Sequence, residues 1–76
     1  MSATTTLLRL LADVSRAMAP VHYWPEGSPA RHVEDQVGDA VTEALSECGL
    51  TLPGHPLDMS WEEVESWAKA KILEGA

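Results

Sequence analysis

The chain has 76 residues, a net charge of −7 and one cysteine. Such a length makes one small domain that buries only about 60% of its unfolded surface, leaving little room for a deep catalytic cleft. The acidity disfavours direct binding to nucleic acid or to an anionic membrane, both of which need a basic patch.

The first helix is predicted from about residue 6 to residue 18. Leu7, Leu11, Val14 and Met18 recur on one helical face, widened by Leu8 and Leu10. Thr5 or Thr6 caps its start, and Pro20 ends it. The preceding apolar run lacks a basic flank and is broken by Arg9 and Asp13, so it does not read as a signal peptide. No stretch is long enough to span a membrane. Residues 19–27 carry Pro20 and Pro25 around Val-His-Tyr-Trp, which predicts an extended loop that folds Tyr23 and Trp24 over the core.

The second helix is predicted over residues 29–48. Ser28 suits its N-cap, Pro29 its first position, and Gly49 a left-handed stop with Leu50 folded back. Val33, Val37, Ala40, Val41, Ala44, Leu45 and Cys48 form an apolar stripe. Gly38 within it marks a close helix–helix crossing. A Pro/Gly-rich loop over residues 51–58 follows. The third helix, residues 60–74, opens on a capping box made by Ser60 and Glu63, with Met59 and Val64 as its hydrophobic staple. Trp61, Val64, Trp67, Ala68 and Ile72 form its buried face. The expected fold is therefore all-α, a small three-helix bundle with two Pro/Gly-rich loops.

Charge is distributed unevenly. Residues 1–31 hold Arg9, Arg16 and Arg31 against Asp13 and Glu26, whereas residues 32–76 hold only Lys69 and Lys71 against ten acids. Asp35, Asp39, Glu43 and Glu47 follow one another at i, i+4 spacing on the second helix. Like charges at that spacing destabilise a helix by roughly 0.2–0.5 kcal/mol per pair. Stability alone would set Lys or Arg among them. The row, with Glu34 beside it, therefore points to a surface for a basic protein partner; Tyr23 and Trp24 are its apolar anchors in the alternative to their folding over the core. Asp58, Glu62 and Glu63 sit near a helix N-terminus, where the macrodipole already favours negative charge.

Other chemistry is not expected. His22, His32, His55 and Cys48 share no metal-ligand spacing, and no nucleophile–base pair or glycine-rich phosphate loop is present. Neither an enzyme nor a cofactor is implied. The lone Cys48 fits a reducing cytoplasm.

The segment Cys48-Gly49-Leu50-Thr51-Leu52-Pro53 is similar to the one that follows the second helix in acyl and peptidyl carrier proteins. That family carries phosphopantetheine on a serine opening the second helix. The matching region here, Val33-Glu34-Asp35, has no serine, and Ser28 lies too early. In size and charge the chain also resembles small acidic phage inhibitors, anti-CRISPR proteins among them. That resemblance implies a non-enzymatic inhibitor that blocks a basic nucleic-acid-binding surface, such as one on a CRISPR effector subunit. The alternative is a helical adaptor or self-associating module, as a homodimer, with its apolar seam completed by a second helix.

Overall fold

A computed structural model describes residues 3–75. The chain is all-α. Among the described residues it forms four α-helical segments and one 3-10 turn, so the expected count of three helices is corrected.

Helix α1 (Ala3–Met18) begins three residues before the predicted start and takes in the three threonines. Its last turn closes with the Ala19 amide donating to the Ser15 carbonyl at 3.0 Å. Pro20 then adopts φ −68° and ψ −28°, a helical geometry its ring already favours. Val21–Tyr23 consequently wind into a 3-10 turn where an extended loop was predicted. Trp24 is extended, the conformation that Pro25 favours in the residue before it.

Helix α2 (Pro29–Glu47) starts and stops as its sequence signals require. The Ser28 hydroxyl accepts from the Arg31 amide at 3.3 Å. At the other end Gly49 has φ +77°. The Leu50 amide donates to the Leu45 carbonyl at 2.9 Å, and the Gly49 amide to the Ser46 carbonyl at 3.0 Å. Those two bonds are the pair that defines a Schellman stop. Cys48, placed in the apolar stripe from the sequence, is instead the exposed C-cap.

The predicted loop over residues 51–58 contains a single turn, α3 (Pro56–Met59). Pro56 occupies its first position, and the His55 ring caps it by accepting from the Leu57 amide at 3.3 Å. Gly38 of α2 serves this turn. A Cβ there would come within 3.1 Å of the His55 ring, so the close approach is to a loop side chain rather than to a long helix.

Helix α4 (Trp61–Gly75) packs closely along α1. Arg16, near the end of α1, lies 3.4 Å from Glu65 in the second turn of α4, so the two run antiparallel. Small side chains at Ala12, Ser15 and Ala68 let them approach. Leu8, Leu11, Leu45, Leu52, Trp61 and Val64 complete the core. Each large aliphatic side chain buried there contributes roughly 1.5–3 kcal/mol. Helix α2 sits farther from α1 than α4 does, and that spacing opens the groove described below. No helix among the described residues is long and apolar enough to cross a membrane.

Ser60 links α3 to α4. Its hydroxyl accepts from the Glu63 amide at 3.3 Å, half of the predicted capping box. The same residue has φ 78° and ψ 147°, a conformation that strains any residue but glycine by about 1–3 kcal/mol. Cap and strain therefore oppose each other. Glycine caps almost as well as serine, so Ser60→Gly is expected to raise unfolding free energy by about 1 kcal/mol. Ser60→Ala, which keeps the strain and loses the cap, is expected to lower it by about 1 kcal/mol. Urea denaturation of both variants checks the opposite signs.

The Lys69 ammonium, 2.9 Å from Glu65, holds that carboxyl below the ordinary glutamate value of 4.5, with Arg16 adding to the effect. A depressed folded value stabilises the fold above pH 4.5 and loses that contribution as pH falls through the lower folded value. Carboxyl titration by NMR should place the Glu65 midpoint below 4.5, and Lys69→Gln should move it upward.

Candidate functional site

Helix α2 is fixed by a charge on its inner side. Glu34 is fully buried. Its Oε2 accepts from the Trp61 indole N–H of α4 at 2.7 Å, and His22 Nδ1 of the 3-10 turn lies 3.0 Å from the same oxygen. A carboxylate only accepts, so this geometry requires hydrogen on Nδ1. Arg31 Nε stands 3.1 Å from Oε1, an ion pair by distance but too poorly aligned for a hydrogen bond. The expectation that Glu34 joins an exposed acidic surface is thus corrected. It shares the core side with Gly38 and Leu45, four and eleven residues on. The Arg31–Glu34 spacing was the one sequence signal of this cluster; His22 and Trp61 arrive from distant segments.

Asp35, Asp39, Glu43 and Glu47 are all exposed. Each i, i+4 step climbs about 6 Å and turns about 40° around the helix. The row therefore spirals about 120° over about 18 Å rather than running straight. At its second position, His55 Nε2 lies 3.0 Å from Asp39 Oδ1. The His55 Nδ1 acceptor role at Leu57 leaves the hydrogen on Nε2, so His55 donates to Asp39. Asp35, Glu43 and Glu47 have no cationic partner among the described residues.

Tyr23 and Trp24 do not cover the core. They are 78% and 52% exposed, which corrects that expectation and leaves both rings accessible. Their loop is tied to α2 by Arg31, whose Nη1 donates to the Trp24 carbonyl at 3.0 Å. The His22 ring stands edge-on to Tyr23 with centroids 5.7 Å apart. The two aromatic residues thus flank the N-terminal turn of α2, one turn before Asp35. Of the other tryptophans, Trp61 is core and Trp67 half-buried.

On the other flank, Leu7, Leu10, Leu11 and Val14 of α1 face Val37, Ala40, Val41, Ala44 and Leu45 of α2 across an open groove of about 250 Å³. All nine lining residues are aliphatic. Leu10 is 58% exposed.

Among the described residues no three His, Cys, Asp or Glu side chains converge on a point that would hold a metal ion. The Ser28 hydroxyl, the nearest to the carrier-protein serine position, is engaged as the α2 cap. Compared with known proteins, the chain matches no family model, no curated protein and no solved structure.

Removing one member of a buried ion pair typically costs about 3–5 kcal/mol, because its partners are left unanswered. Glu34→Ala is expected to lose that much, a large part of a total near 4–11 kcal/mol for this length. Trp61→Phe, which deletes the indole donor and leaves a cavity where the second ring was packed, is expected to lose at least about 1–3 kcal/mol. Thermal and urea unfolding measure both.

Proposed function

We propose that this chain is a non-enzymatic binding protein. Its acidic outer face on α2 docks onto a basic surface of a nucleic-acid-binding protein and excludes the nucleic acid. A CRISPR effector subunit, blocked in the manner of an anti-CRISPR inhibitor, is the case that size and charge favour. The observation that carries the reading is where the cations go. Arg16 pairs with Asp13 and Glu65, Arg31 with Glu34, Lys69 with Glu65 and Lys71 with Glu74. None pairs with Asp35, Asp39, Glu43 or Glu47. Repulsion along that row is relieved when a partner supplies Arg or Lys, and the same field speeds encounter. Tyr23 and Trp24, exposed beside the first turn of the row, add apolar contact of the kind that dominates interface energies.

A second reading, a helical adaptor or self-associating module, is favoured by the aliphatic groove between α1 and α2. It predicts a dimer in light scattering, and binding that ignores the acidic row.

The proposed reading makes stability and binding move in opposite directions. Glu43→Lys turns two repulsive i, i+4 pairs into attractive ones. It is expected to stabilise the chain by roughly 0.8–2 kcal/mol, a melting temperature higher by several degrees. The same change, and more so reversal of Asp35, Asp39, Glu43 and Glu47 together to Lys, should abolish capture of nucleic-acid-binding proteins from a bacterial lysate. A captured protein should release a labelled oligonucleotide when the wild-type chain is added. Equal capture by wild type and the fourfold variant would make the row a merely solvated face.

A further inference from the structure

We infer that the groove between α1 and α2 receives an amphipathic helix of the partner, its apolar side flanked by Lys and Arg. The inference rests on the basic-partner reading and names the partner segment that enters. Three observations carry it.

The groove has the right form for a helix. From Leu7 to Val14 it runs about 10 Å, two helical turns, which accepts apolar side chains at i, i+3 or i+4, and i+7. Its aliphatic lining offers no polar group to orient a small ligand. Leu10, at 58% exposure, is left without cover on the α1 side.

The rim has one sign. Glu43 follows Ala40 by three residues and Glu47 follows Ala44 by three, so both lie next to the groove on α2. Both are exposed and have no cationic partner among the described residues. Arg9 and Arg16 stand two residues from Leu7 and Val14, which turns them about 200° away, to the far side of α1.

The charge also chooses between occupants. A second copy would bring another net −7 and another pair of unpaired glutamates against the same rim. A helix with Lys or Arg flanking its apolar side answers both the rim and the lining.

The test uses labelled designed peptides and fluorescence anisotropy on the full chain. One peptide has Leu on one helical face and Lys on the other. A second has the same composition scrambled so that no apolar face forms. A third replaces Lys with Glu. The Leu/Lys helix is expected to bind at least about tenfold more tightly than either control. Leu10→Glu combined with Ala40→Glu should weaken it by about tenfold or more. Both positions are exposed, so folding is preserved, and circular dichroism verifies it. The added acids would strengthen a purely electrostatic contact, so a loss can come only from the groove.

Equal binding of the scrambled peptide, or no effect of Leu10→Glu with Ala40→Glu, overturns the groove while leaving the acidic face intact. Equal binding of the Leu/Glu peptide overturns the basic flank. A dimer in light scattering that Leu10→Glu dissociates makes a second copy the occupant and overturns the assignment. Failure of every Lys peptide to bind removes the basic-partner reading together with the inference.

Discussion

A carboxylate hidden from water has to be answered by donors, and around Glu34 that requirement draws three segments together. The Trp61 indole brings α4, His22 brings the 3-10 turn, and Arg31 holds both the carboxylate and the Trp24 carbonyl. A domain this small has few apolar contacts with which to fix helix rotation. Rotating α2 by one residue would carry Glu34 about 100° off its donors. The buried charge therefore selects one rotational setting of α2, and that setting decides which side chains α2 shows to solvent.

The outer surface follows from this setting. With Glu34, Gly38 and Leu45 turned inward, the acids at 35, 39, 43 and 47 must face out. With α1 packed closely on α4 through Ala12, Ser15 and Ala68, α2 is left at a distance that the aliphatic side chains do not fill. The acidic spiral begins one turn after Arg31, which holds the Trp24 carbonyl, and ends beside the groove, so α2 joins unpaired carboxylates to an open apolar channel and ties down the loop with the exposed aromatic rings. The proposed docking onto a basic partner uses all three. Neither the caps nor the core requires an unpaired carboxylate at 35, 43 or 47, and each repulsive pair costs stability.

The ends of α2 were legible in the sequence because they depend on local chemistry. Ser28, Pro29 and Gly49 each act within a few residues of themselves, and the observed caps use those residues. The all-α class was legible for the same reason, through helical periodicity. Features that depend on distant partners were not. Glu34 read as one more surface acid because its donors His22 and Trp61 are 12 and 27 residues away. The Asp39–His55 bond spans 16 residues and was equally hidden. α3 was missed because a four-residue turn carries no periodicity; its signal lay in His55-Pro56, a cap followed by a first-position proline. For Tyr23 and Trp24 the sequence left burial and exposure open: their size argues for burial, while the backbone geometry of the 3-10 turn that leaves them exposed follows from Pro20.

The account stands on Glu34 acting through Trp61 rather than beside it, and a double-mutant cycle tests that coupling directly. Glu34→Ala, which leaves no acceptor for the indole, Trp61→Phe and the double variant would be unfolded in urea. The account predicts that the double variant loses less stability than the sum of the single ones, by roughly 1–2 kcal/mol, as for groups in one buried network. Losses that simply add, within about 0.5 kcal/mol, would contradict it, and the orientation of α2 would then have to come from apolar packing alone.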